Sequence, residues 1–442
     1  MPPFRRVGLP GRPSLLSPAA AAGRRAWPRN GYAITGVTVA ILHITQFSLP
    51  EITSGYTLRT HAIATGQRAR GLDLVVLTSP RHPSAQEAIL DGVPYLRCHP
   101  ERGGESLWRR DLRRVRELAA CILDIASSRG DIALVHAHSP VICGLAALRA
   151  AGRLDVPVVY EVRGMWEQAI VEHARLRSLD LRYRVARALE MRVCHRANAV
   201  VAICEGLRRH LVGRGLPASR VQLMPNGVDT GVFAPRAATA ASARALGIGD
   251  GPLVLYLGAI RRYEGLEVLL DAWPSVAARV ADARLVVVGE GEERARIAAR
   301  VQLLSPAAMM LPPVAHGAVG DYYAAAELVV YPRLSTPATE AVTPLKPLEA
   351  MAMAKAIVAS DVGGLRELLA DGETARLVPP GSAPALAEAC VRLLSDPEQR
   401  RRLGANARAR VVGHHQWVQI VERYLDLYRS LGVAADGVSS RA

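Results

Sequence analysis

A chain of 442 residues with a formal net charge of +15 is too long for one core of ordinary size, so two domains are expected. Half of it is hydrophobic, yet no run approaches the roughly eighteen apolar residues of a membrane-spanning helix. The positive charge admits nucleic acid, an anionic membrane or a phosphorylated substrate as partner; few aromatic residues and no nucleic-acid-binding module argue against the first.

Residues 1–36 are rich in Pro, Arg, Ala and Gly and lack a continuous apolar h-region, so a disordered basic extension is expected rather than a secretory signal. The first strand is VTVAILHIT (37–45), and Gly55 opens a helical pattern beyond the loop that follows. LDLVVLTSP (72–80) is a second strand. Residues 105–128 form a basic amphipathic helix, with Trp108, Leu112, Val115 and Leu118 at helical spacing and Arg109, Arg110, Arg113, Arg114 and Arg116 outside. Such a helix could rest on anionic headgroups. The six cysteines are scattered with no Cys-x-x-Cys pair, which argues for buried thiols in a reducing compartment rather than disulfides or zinc.

The strand DIALVHAHSP (131–140) ends in His136 and His138, where open parallel sheets bind ligands. His-x-His invites a metal reading, but no further ligand cluster accompanies it in the sequence, and no Asp-x-Asp is present; no metal is expected. VPVVYEVRGMWEQAIVEH (156–173) is a strand and loop carrying Glu161, Arg163, Trp166 and Glu167. Arg163 could hold an anion and Glu167 an acceptor hydroxyl. A long arginine-rich helix, the strand NAVVAICEG (198–206) and a further helix follow. Pro225-Asn-Gly-Val-Asp is a turn in which Asn and Gly accept positive φ.

PLVLYLGAIRRYEGLEVLLDAW (252–273) opens a second strand-and-helix series, with Arg261 and Arg262 in the loop between. Gly-x-Gly at 289–291 lacks the third glycine of a dinucleotide fingerprint, which leaves an NAD-dependent enzyme a weak reading. Arg333 follows the strand ELVVYP. The stretch from Leu334 to Leu369 carries two candidate carboxylates, Glu340 and Glu349, around a Pro-broken loop that empties onto a helix N-terminus. Lys346 and Glu349 are three apart and share a face. A lysine for phosphate oxygens and a carboxylate for sugar hydroxyls suit a nucleotide-sugar, with Thr343 and Leu345 lining the same loop.

Glu349, the run AMAMAKAIV and Gly363-Gly364-x-x-Glu367 together resemble the donor-binding signature of retaining glycosyltransferases of family 4, which have the GT-B fold. Three departures stand out. Glu340 is one position early for the first glutamate; Ala354 and Ala356 stand where Gly and Pro are common; Ala259 and Glu264 occupy the places of an Arg and a Lys that neutralise the donor diphosphate. TPLKPLEAMA, SGYTLRTHAI and YEVRGMWE resemble a subgroup found with exosortase-type exopolysaccharide loci.

The resemblance implies two facing Rossmann-like α/β domains around a cleft. An acceptor-side domain would span 37–216, a linker 217–250 and a nucleotide-sugar domain 251–412, with a helix in 413–442 packing back on the first domain. It implies metal-independent transfer from a nucleotide-diphosphate sugar to a glycan or lipid-linked acceptor, in the cytoplasm or at the inner face of the membrane, with no nucleic acid. His138, Glu349 and Arg262 would be catalytic. Gly55, Tyr56, Arg261, Val314, Glu340, Thr343, Leu345 and Lys346 would bind donor, and Arg163, Trp166 and Glu167 would face acceptor. An inert nucleotide-sugar-binding scaffold is the alternative.

Overall fold

The computed structural model describes residues 40–98, 107–165, 181–237, 248 and 251–433; Trp166 and Glu167 lie outside them, as do the side chains of Trp108 and Arg109. The first sheet has eight strands in the order β3-β4-β2-β1-β5-β6-β7-β8. These are β1 (Ala40–Thr45), β2 (Asp73–Thr78), β3 (Ala88–Leu90), β4 (Val93–Arg97), β5 (Ile132–His138), β6 (Val158–Val162), β7 (Ala199–Ala202) and β8 (Val221–Leu223). All pair in parallel except β3, which runs antiparallel to β4. Strands such as AILHIT and VVYEV are buried at every position, the pattern of a parallel sheet covered on both faces. The covering helices are α1 (Gly55–Arg68), α2 (Leu107–Arg129), α3 (Val141–Leu154), α4 (Leu181–Arg196) and α5 (Glu205–Val212).

The second sheet has six parallel strands in the order β11-β10-β9-β12-β13-β14. They are β9 (Leu253–Leu257), β10 (Arg284–Val288), β11 (Ala308–Leu311), β12 (Leu328–Tyr331), β13 (Ala356–Ser360) and β14 (Arg376–Val378). Its helices include α6 (Leu266–Arg279), α7 (Arg294–Gln302), α8 (Val319–Ala325), α9 (Pro337–Ala341), α10 (Lys346–Ala352), α11 (Gly363–Arg366), α12 (Ala383–Ser395) and α13 (Pro397–His414). Strand order reverses between β1 and β5 in one sheet and between β9 and β12 in the other. Loops diverge at such switch points and leave a crevice beyond the strands' carboxyl ends.

The chain crosses between domains twice, and the crossings touch. Val228 N–H donates to His415 O (2.8 Å), and His415 Nδ1 to Asn226 O (2.9 Å). The last helix, α14 (Trp417–Ser430), then lies against α1 of the first domain, burying Ile420, Val421, Tyr424 and Tyr428. A first-domain boundary at 216 falls short, because β8 at 221–223 completes that sheet.

The expectation of six thiols is corrected: Cys98 and Cys121 are joined in a disulfide, while Cys143, Cys194, Cys204 and Cys390 are buried thiols. Cys98 follows β4 and Cys121 lies on α2, 23 residues on, so only the fold brings them together. No described helix is long and apolar enough to cross a membrane.

Gly66 is where α14 meets α1 most closely: a Cβ there would lie 2.5 Å from Val421 Cγ2. Gly66→Ala gains about 0.5–1 kcal/mol of helix propensity, whereas overpacking costs about 1–3 kcal/mol. The substitution is therefore expected to lower the melting temperature in the native background and to raise it in Val421→Ala. A thermal melt of the four proteins checks the reversal of sign.

Candidate active site

The second domain supplies one wall of the crevice. Glu349 is buried on the first turn of α10, and Lys346 Nζ approaches its two carboxylate oxygens at 3.0 and 3.3 Å. Tyr323 donates to the same carboxylate from α8 (3.3 Å). His316 stands close by: burial lowers its pKa, while the Glu349 carboxylate pulls the other way. Val314 is half-buried against the same core as Leu345 and Leu348. Glu340 accepts from Ser335 Oγ and from Gly363 N–H, both at 2.7 Å, which ties α9 to α11. Burial would raise its pKa, but these two donors outweigh that and hold it below the ordinary value.

Arg261 and Arg262 are exposed in the loop after β9. Glu264, next along, is not free to repel an anion. It forms a two-pronged pair with Arg333, which follows β12: Arg333 Nε to Glu264 Oε2 is 3.0 Å and Nη2 to Oε1 is 2.7 Å.

The first domain meets this wall closely. A Cβ on Gly55 would lie 3.0 Å from Leu345 Cδ1, so the loop before α1 faces the loop before α10. Asn226 Nδ2 donates to Thr343 O (3.0 Å) and lies 3.3 Å from its Oγ1. Glu367 accepts from the N–H groups of Glu205 (2.8 Å) and Gly206 (3.2 Å), so a carboxylate of the second domain caps α5 of the first.

Behind Gly55 lies a polar hub that sequence reasoning did not assemble. Its centre is Glu161, on β6 and fully buried. Its Oε1 accepts from Arg59 Nε (2.9 Å) and Arg163 Nε (2.6 Å), and Oε2 accepts from the Tyr424 hydroxyl. Burial would raise the Glu161 pKa; Arg163 and Arg59 overcome it and hold the carboxyl well below the ordinary range. The remaining Arg59 N–H groups go to Met224 O, Pro225 O, Asn226 Oδ1 and the Tyr424 hydroxyl.

Arg163 and His138 therefore do not stand where the sequence reading put them. Arg163 is spent on Glu161, Tyr56 O (2.8 Å), Thr60 Oγ1 (2.6 Å) and His138 Nδ1 (2.8 Å), so it is a positioning group rather than an acceptor-side anion holder. Guanidinium only donates, so His138 Nδ1 accepts and its Nε2–H donates to His43 Nδ1 (3.0 Å). His43 Nε2–H then donates to Gln67 Oε1 (2.8 Å). Gln67 donates to the Tyr428 hydroxyl (3.0 Å), and that hydroxyl to His136 Nδ1 (2.7 Å). Both nitrogens of His138 are occupied, which leaves none for a donor sugar. Tyr56 has its hydroxyl accepting from Gln46 N–H (3.1 Å) and its ring under the Arg163 guanidinium.

A third histidine does join His136 and His138, contrary to the sequence reading: His43, from β1, places three ring nitrogens within 4.8 Å of one another. The directional chain above engages both nitrogens of His43 and of His138 and Nδ1 of His136 with neutral rings, while His136 Nε2 makes no hydrogen bond among the described residues and lies 3.3 Å from Glu161 Oε2. With both nitrogens of two rings taken and two guanidinium groups beside them, the set does not fit a resident cation. Glu161, named in the sequence without a role, had a signal for one, a lone acid inside the apolar run VVYEV. Arg59, Tyr424 and Tyr428 had none, since they meet it only through the fold.

Two facing parallel-sheet domains, with a carboxylate–lysine pair in the crevice and a helix returning to the first domain, define a GT-B enzyme. The family model "Glycosyltransferase Family 4" matches residues 53–232, and "Glycosyl transferases group 1" matches 251–396. A D-inositol 3-phosphate glycosyltransferase of Xylanimonas cellulosilytica is 30% identical over 378 residues, covering 81% of this chain and 87% of that protein. Sucrose-phosphate synthase from Thermosynechococcus elongatus has a similar fold (TM-score 0.74, 23% identity, 89% of this chain and 99% of that one). So does Anabaena HepE in complex with UDP-glucose (TM-score 0.69, 19% identity, 88% and 99%). The chain belongs to the family 4 glycosyltransferases and is a transferase.

The hub sets an acid limit. Burial, and then His136, hold the His43 pKa at about 3, against an ordinary 6.5. Burial likewise lowers His136 and, with Arg163, puts His138 well down. Below pH 6.5 the unfolded histidines take protons that the folded ones refuse, so stability falls with pH by up to about 1.4 kcal/mol per histidine per unit. Glu161 adds to this below 4.5, where its unfolded form protonates first. The melting temperature is expected to fall between pH 7 and pH 5, with net proton uptake on unfolding. Calorimetry in buffers of different ionisation enthalpy measures both.

Proposed function

We propose that this glycosyltransferase moves a sugar from a nucleotide diphosphate to a glycan or lipid-linked acceptor with retention of anomeric configuration, in the assembly of an exopolysaccharide. The observation that carries the donor reading is the pair of half-buried Lys346 and buried Glu349, which follows directly on Leu345, the residue set against Gly55. A buried carboxylate already held by a lysine and a tyrosine is oriented to take two neighbouring hydroxyls, as a ribose presents. Val314 flanks the base, and Lys346 with Arg261 and Arg262 meets the diphosphate. Charge develops on the departing diphosphate, so fixed cations there lower the barrier. The relative bound to UDP-glucose supports a nucleotide-sugar as donor.

Retention rests on the resemblance of Glu349, AMAMAKAIV and Gly363-Gly364-x-x-Glu367 to retaining family 4 enzymes, and the exopolysaccharide assignment on that of TPLKPLEAMA, SGYTLRTHAI and YEVRGMWE to the exosortase-associated subgroup. The same reading puts the arginine-rich face of α2 against anionic headgroups, with a lipid-linked acceptor presented there.

Glu349→Ala removes a charged hydrogen bond worth about 1.5–3 kcal/mol or more when buried. Turnover on whichever of the UDP- and GDP-sugars the native enzyme uses is expected to drop about a hundredfold, with the fold intact by circular dichroism. Near-native turnover would move the ribose site elsewhere.

A further inference from the structure

We propose that Arg333 is the side chain that aligns the donor diphosphate, and that Glu264 is present to aim it. This deepens the nucleotide-sugar reading above and rests on it. Arg333 lies two residues past β12 and Glu264 in the loop past β9, so the pair spans the switch point of the second sheet. That crevice is where ligands reach open parallel sheets. The loops are fastened there by their backbones: Leu334 N–H donates to Tyr263 O (2.9 Å), and a Cβ on Gly265 would lie 1.9 Å from Pro332 O. Arg333 is thus delivered to the glycine turn at the start of α6.

The pair uses Nε and Nη2 of the guanidinium on the two oxygens of Glu264. Nη1 has no hydrogen-bond partner among the described residues, and it is not among the buried atoms left without one. Carboxylate on one edge and a solvent-reaching edge opposite is the arrangement that presents N–H donors to an anion with little rotamer freedom left to lose. The Tyr263 ring lies beneath, its centroid 5.8 Å from Arg333 Cζ. Arg261 and Arg262 are exposed, and among the described residues no hydrogen bond to a carboxylate fixes either. They attract the diphosphate at longer range; the neutral Arg333–Glu264 pair adds direction rather than net charge. Glu264 at a position where the family carries a cation is then no loss of the phosphate site, because the cation has moved from the β9 loop to the end of β12.

The test titrates UDP, GDP and ADP, and the three matching nucleosides, into the full-length native protein, Arg333→Gln and Arg333→Lys by calorimetry. For the diphosphate that binds the native protein best, Arg333→Gln is expected to weaken binding at least tenfold. Its affinity for the matching nucleoside should stay within about twofold, and Arg333→Lys should recover part of the diphosphate loss. Diphosphate affinity within twofold of native in a folded Arg333→Gln overturns the proposal and leaves the pair as a strap between two loops. Should Arg333→Gln not fold, Arg333→Lys decides: at least a threefold loss for the diphosphate with none for the nucleoside supports the role, and equal affinities refute it. If none of the three diphosphates binds the native protein, the nucleotide-sugar reading itself fails, and this inference with it.

Discussion

One buried carboxylate organises the first domain and its return helix. Glu161 sits at the middle of a parallel sheet with no access to water, and taking a carboxylate there costs several kcal/mol unless charge and hydrogen bonds offset it. Arg59, Arg163 and the Tyr424 hydroxyl provide the offset. Each of these partners belongs to a different part of the architecture. Arg59 carries the contact to the first crossover through Met224, Pro225 and Asn226. Tyr424 holds α14 down, and Arg163 fixes His138 and the start of α1. Removing one member of such a set leaves the others charged and buried, a loss of about 3–5 kcal/mol.

The crevice inherits its shape from that hub. Asn226 reaches from Arg59 to Thr343, and Gly55 opens the helix that Arg163 grips, so both crossing points are referred to the same buried charge. The described contacts between the domains beside the crevice mix polar links, the Glu367 cap on α5 among them, with apolar ones such as Val342 against the first-domain core. Interfaces of that kind between domains permit relative motion, which suits a transferase that must admit substrates and release products. On the far wall, the Glu264–Arg333 pair fastens the loop after β9 to the loop after β12.

The alternation of apolar strands with helical patterns made the two-domain parallel architecture legible, since strands covered on both faces read as continuous apolar runs. The Lys346–Glu349 pair was legible for a local reason: residues three apart on a helix share a face. The His138 role was not, because a strand-end histidine looks the same in sequence whether its nitrogens are free or, as here, taken by Arg163 and His43. Arg163 was misread for the same reason, its partners lying on β6, α1 and β5. The Cys98–Cys121 link and the compensation of Glu264 by Arg333, 69 residues on, are likewise products of tertiary contact that no spacing rule carries.

Hydrogen exchange in Glu161→Gln, followed segment by segment against the native protein, tests the central claim most directly. The account predicts faster exchange in residues 417–430 and in 224–228, where the return helix and first crossover lose their anchor. Strands of the second sheet, such as 284–288 and 328–331, should keep native protection. Unchanged exchange in the return helix and the crossover, in a variant that still lacks the Glu161 charge, would contradict it.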